Sequence, residues 1–101
     1  MTAATSLIPA RPLAAQAHAL HAAAAFLEHA GIAGLSLIID EYGISIQVPQ
    51  FLAGQDARIA AVGLLAAAAG ARATAGARWV TADGELAGHP VRIFTPLAGT
   101  P

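Results

Sequence analysis

Apolar residues first recur with a helical period between Pro12 and Gly31, where Leu13, Leu20 and Leu27 repeat every seven residues with Ala17, Ala23 and Ala24 beside them. Such a stripe predicts an amphipathic helix that starts near Pro12, buries its leucines and stops at Gly31. Phe26 lies off the stripe, at its edge or toward a second protomer. The period then changes to two. Leu35, Leu37 and Ile39 alternate with Ser36, Ile38 and Asp40, and Ile44, Ile46 and Val48 alternate with Ser45 and Gln47. This pattern predicts a hairpin turning at Glu41-Tyr42-Gly43 and closed off by Pro49.

A second helical stripe follows from about Gln55 or Asp56 to Ala69, with Ile59, Val62, Leu65, Ala66 and Ala69 on one face, Leu64 nearly opposite, and Gly70 as the stop. Arg78 to Leu86 reads as a strand, Ala87-Gly88-His89 as its turn, and Pro90 to Phe94 as a last strand that Pro96 ends. Asp83-Gly84 is a rival turn. The order helix, strand, strand, helix, strand, strand predicts an α+β two-layer sandwich. Both helices lie on one face of a four-stranded antiparallel sheet, in a permuted ferredoxin-like arrangement. Residues 1–11 are expected to form an arm, 12–97 one domain and 98–101 a tail.

Composition narrows the function classes. Charged residues make up 11% of the 101 residues, and much of the apolar content is alanine, which buries little area per residue. A chain this short and this small in its side chains is expected to associate. Its net charge of -1, without a single Lys, supplies no field for a polyanion, so nucleic acid is disfavoured as a partner. The absence of Cys excludes disulfides, thiolate metal sites and cysteine nucleophiles. From Ile59 to Ala71, between Arg58 and Arg72, the apolar run is too short to cross a bilayer. Pro9, Arg11, Pro12, Gln16 and His18 interrupt anything resembling a secretory signal, so the expected location is the cytoplasm.

Three constellations could carry chemistry. His18, His21, Glu28 and His29 fall in one arc away from the leucine stripe and are sound ligands for zinc, nickel or copper. Glu28 and His29, however, sit roughly 10 Å further along the helix than the first pair. Only an antiparallel pairing of two copies would close that gap. The far face of the sheet should carry Ser36, Ile38, Ser45, Gln47, Trp79, Thr81, Arg92 and Phe94. A face that spends the chain's one Trp on solvent has the composition of a contact surface, with self-association as the first reading. Another protein, or single-stranded nucleic acid stacking on Trp79 and Phe94, is the alternative occupant. Asp40, Glu41, Asp83, Glu85 and His89 gather near turns, where such residues are ordinarily solvated. No nucleophile elbow, phosphate loop, H-E-x-x-H run or calcium loop is present. No catalytic residue is assigned and no cofactor is expected.

The stretch Leu86-Ala87-Gly88-His89-Pro90-Val91-Arg92-Ile93-Phe94-Thr95-Pro96-Leu97, with Gly43-Ile44-Ser45-Ile46-Gln47-Val48-Pro49 before it, resembles a pattern in small uncharacterised actinobacterial proteins, some of them from mobile elements. The resemblance spans residues 13–97 and implies a shared domain, with no activity attached to it. The helix-strand-strand order is also similar to that of the pterin carbinolamine dehydratases. Their adjacent histidines followed by proline have no counterpart here, and His89-Pro90 alone does not carry that chemistry over. The reading that remains is a small non-enzymatic module, a homodimer in the first instance.

Overall fold

The computed structural model describes residues 10–97, so the expected arm up to residue 9 and the tail 98–101 lie outside the described residues. The first helix, α1 (Ala10–Ala30), begins two residues before Pro12. Proline is tolerated there because the first-turn amides have no intrahelical acceptor in any case. The hairpin β1 (Ser36–Asp40) and β2 (Gly43–Gln47) follows, then α2 (Gln55–Ala68), a short β3 (Thr74–Ala75), β4 (Trp79–Leu86) and β5 (His89–Pro96). Among the described residues no helix is long and apolar enough to cross a membrane.

The architecture is α+β, but the sheet has five strands in the order β1-β2-β5-β4-β3 and is mixed rather than antiparallel. β2 and β5 pair in parallel at its centre, Ile44 opposite Val91 and Ile46 opposite Ile93. The four-stranded antiparallel expectation fails because of β3. This strand runs antiparallel to β4 and reverses the chain once more after α2. Without that extra pass β4 would run the other way and the central pairing would be antiparallel, as in the ferredoxin-like order.

Two glycines make this path possible. A Cβ on Gly84 would come within 3.0 Å of the Ala71 Cβ and 3.1 Å of the Ala69 carbonyl oxygen, so the chain leaving α2 crosses β4 where a side chain is missing. Gly84 is therefore a crossing point inside β4, and Asp83-Gly84 is not a turn. Gly43 has φ of 135°, and a Cβ there would collide with the Pro90 carbonyl oxygen, at the start of the parallel pair. The turn between β4 and β5 is Ala87-Gly88, with both φ values positive.

Ile44, Ile46, Val48, Val80, Ala82, Val91 and Ile93 point to one side of the sheet and are buried under the helices. α1 lies over β1, β2 and β4, and α2 over β4 and β5. α2 packs by its expected stripe, with Val62, Leu65 and Ala66 buried and Leu64 exposed. α1 does not. It turns Ala19 and Ala23 onto the sheet and leaves Leu13 56% and Leu20 48% exposed. At about 100° per residue the leucine stripe lies about 80° from the face that packs. The large β-branched side chains of the sheet already fill the interlayer space beneath α1, and only small residues let the helix backbone approach. Phe26 and Leu27 pack against the margin of the core.

Arg58 is the one charged residue in the described interior, at 3% exposure. Its Nε donates to the Ala53 carbonyl oxygen (3.0 Å), and its Nη1 donates to Thr95 Oγ1 (2.8 Å) and to the Pro96 carbonyl oxygen. Thr95 Oγ1 in turn donates to the Val48 carbonyl oxygen (2.8 Å).

Arg58→Ala leaves the Ala53 and Pro96 carbonyls without these donors and should cost about 2–4 kcal/mol in urea denaturation. Arg58→Lys should recover less than half of that, because an ammonium lacks the planar fork; full recovery would show that charge alone matters there. Ala87→Asn should instead raise stability by about 0.5–1 kcal/mol, since Ala87 holds a left-handed φ of 51° that asparagine accepts more readily. A lowered urea midpoint would contradict this.

Candidate interaction surface

Strand alternation gives the sheet a second side, and among the described residues no helix covers it. Register places Ile38, Ser45, Arg92 and Asp83 in one row across β1, β2, β5 and β4. Ser36, Gln47, Phe94, Thr81 and Thr74 make the next row across all five strands. Trp79 stands opposite Pro96 and diagonal to Phe94. All eight positions expected on the far face, Ser36, Ile38, Ser45, Gln47, Trp79, Thr81, Arg92 and Phe94, thus share this open side. The period of two fixes the side on which each one emerges.

Trp79 remains 44% exposed and Ile38 56% exposed. The indole meets Phe94 edge to face, with ring centroids 5.5 Å apart and planes at 70°. Such a diagonal aromatic pair holds both rings in place and is worth about 0.5–1.5 kcal/mol. Arg92 Nε donates to Asp83 Oδ1 at 2.8 Å, and both side chains are more than half exposed. The hydrogen bond to Asp83 and the nearby negative charge raise the Arg92 pKa above its ordinary value. A guanidinium is charged throughout the neutral range in any case, so the pair contains no proton switch there. Two shallow depressions of about 330 Å³ each share Ser45 and Arg92. One leads toward Asp40 and Tyr42, the other toward Trp79 and Phe94.

The remaining candidates are scattered. Asp40 Oδ1 accepts the Tyr42 amide at 2.8 Å and so shapes the β1–β2 turn. Asp83 is held by Arg92, and Glu41 and Glu85 are exposed. His21, Glu28 and His29 of the histidine arc are all exposed along α1 and, as their spacing requires, do not converge within one chain. Among the described residues no group of three or more His, Asp or Glu converges as a metal site. The structure instead joins His18 to a residue that helical periodicity does not connect with it. His18 Nδ1 and His89 Nε2 lie 2.6 Å apart, joining α1 to the first residue of β5. Only the packing of α1 over the end of the sheet brings these two together, and no local spacing signals it.

No family model, no curated protein and no solved structure matches this chain.

The Arg92–Asp83 pair is solvated, and exposed ion pairs of this kind contribute little. Asp83→Asn should therefore change the urea-unfolding free energy by less than about 1 kcal/mol. A larger loss would mean that the pair organises the face itself.

Proposed function

We propose that the protein is a non-enzymatic, self-associating interaction module that works in the cytoplasm as a homodimer, with the open face of the sheet as its contact. The observation that carries this reading is the uncovered sheet face on which Ile38, Trp79 and Phe94 stand near the Arg92–Asp83 pair. Five strands about 4.8 Å apart, each contributing about five residues of 3.3 Å, give a footprint of roughly 400 Å². A corrugated surface has more accessible area than its footprint, which puts the face toward the low end of specific interfaces, at about 600 Å² per partner. Adjacent opposite charges favour a second copy as occupant. About a two-fold axis near the Arg92–Asp83 pair, each arginine meets the other copy's aspartate and the joint is neutral. Nucleic acid is the weaker alternative, because the arginine on this face is already bound by a carboxylate.

A second reading has its own observation. Leu13, Ala17, Leu20, Ala24 and Leu27 keep a four-three-four-three spacing along α1, the spacing of a helix-pairing seam, and both Leu13 and Leu20 are exposed. Here too the occupant is a second copy, meeting the first helix to helix.

Analytical ultracentrifugation over a dilution series separates the two. Trp79→Ala combined with Phe94→Ala should convert the dimer to monomer, while Leu13→Gln with Leu20→Gln should leave it intact. The opposite pattern transfers the contact to α1, and a parent protein that is monomeric at every concentration removes both. Because Trp79 is the chain's one tryptophan, its emission should shift to the blue as the parent dimer forms on concentration.

A further inference from the structure

We propose that His18 and His89 form a two-imidazole clamp for a divalent transition-metal cation, taking Cu²⁺ in preference to Ni²⁺ and Zn²⁺. The inference is independent of self-association, since it concerns the opposite side of the molecule, where α1 meets the start of β5.

The contact is close. His18 Nδ1 and His89 Nε2 lie 2.6 Å apart, so the fold alone holds two imidazole nitrogens within hydrogen-bonding reach of each other. The rings are tilted by 45°, with centroids 4.8 Å apart, so the contact is made through nitrogen and not by stacking. A cation finds two ring nitrogens already held close to each other, and much of the ordering cost of bringing them together is met by the fold.

Intrinsic affinity selects among cations. The two rings meet nearly end-on, so an ion held by both nitrogens requires the rings to part and to swing until their lone pairs converge on it. His18 is exposed on α1 and has room for that movement. For nitrogen donors affinity is highest for Cu²⁺, ahead of Ni²⁺ and Zn²⁺.

The surroundings favour a cation. His89 lines a cavity of about 390 Å³ together with Gln16, Asp40, Glu41 and Tyr42. Two carboxylates border that cavity, and Arg92 lines the neighbouring depression instead. Water can complete the coordination from the open side. The clamp would also fasten α1 to the sheet at the helix's amino-terminal half, where the helix otherwise leaves Leu13 exposed.

The test is calorimetric titration of the full, metal-free chain with CuCl₂ at neutral pH in a buffer that does not coordinate copper, with electron paramagnetic resonance on the product. One equivalent should bind per chain, with nitrogen hyperfine structure. His18→Gln and His89→Gln should each weaken binding by more than about tenfold, while His21→Gln and His29→Gln should bind as the parent does. The parent should melt higher with Cu²⁺ than without it. The two clamp variants should melt as the parent does in chelator, which keeps loss of binding distinct from loss of fold. The Trp79→Ala, Phe94→Ala variant should bind copper normally. Undiminished binding by His89→Gln overturns the proposal, as does dependence on His21 or His29, tighter binding of Zn²⁺ than of Cu²⁺, or the absence of saturable binding.

Discussion

The guanidinium of Arg58 determines how the second half of the molecule sits on the first. One side chain reaches the loop before α2 through the Ala53 carbonyl, the end of β5 through Thr95 and Pro96, and, by way of the Thr95 hydroxyl, Val48 just beyond β2. These segments converge where the two central strands end, so α2 starts at a fixed point above the parallel pair. All the acceptors are neutral oxygens, and a buried cation is tolerable on those terms because the arginine fork spreads its charge over several well-placed dipoles. With the start of α2 fixed there and its exit fixed at Gly84, its direction is determined. The returning strand β3 then decides the polarity of the whole sheet.

Legibility followed side-chain size. In α2, Val62 and Leu65 are large enough to single out one face, and the face read from the sequence is the one that packs. In α1, alanine lies in nearly every direction, and two of the heptad leucines that look like the core stripe, Leu13 and Leu20, are turned outward. The rule that apolar means inside failed because the space under α1 was limited by Ile44, Ile46 and their neighbours, and methyl groups fit there while isobutyl groups do not. The hairpins and the open face were legible because a period of two leaves only two sides to choose from. β3 was not, since Thr74–Ala75 is too short to show any period. Nor was the partner of His18, which lies 71 residues away along the chain.

The same economy of small residues leaves apolar side chains on both outer surfaces of the molecule. Two layers bury one side of the sheet and one side of each helix. That leaves Ile38 and Trp79 on the sheet, and Leu13, Leu20 and Leu64 on the helices, facing outward. Scattered exposed leucines need no explanation. A face on which a T-shaped aromatic pair stands near an ion pair is an arranged surface. This difference between isolated and organised exposure is what ranks the sheet above the helices as a site of contact.

The parallel seam at the centre of the sheet has a kinetic consequence. Each hairpin closes over a turn of two residues, Glu41-Tyr42 in one and Ala87-Gly88 in the other. The seam joins Ile44 to Val91, with α2 and β3 lying in the chain between them. Local pairs form within microseconds, whereas a contact across so much intervening chain must first meet the entropy of closing that loop. Folding is therefore expected to proceed as two quickly formed halves and one slow docking step, with the Arg58 hydrogen bonds made as the halves meet. Until they do, the inner edges of β2 and β5 are unpaired, and a newly made chain has an interval in which either edge can capture the matching strand of another copy.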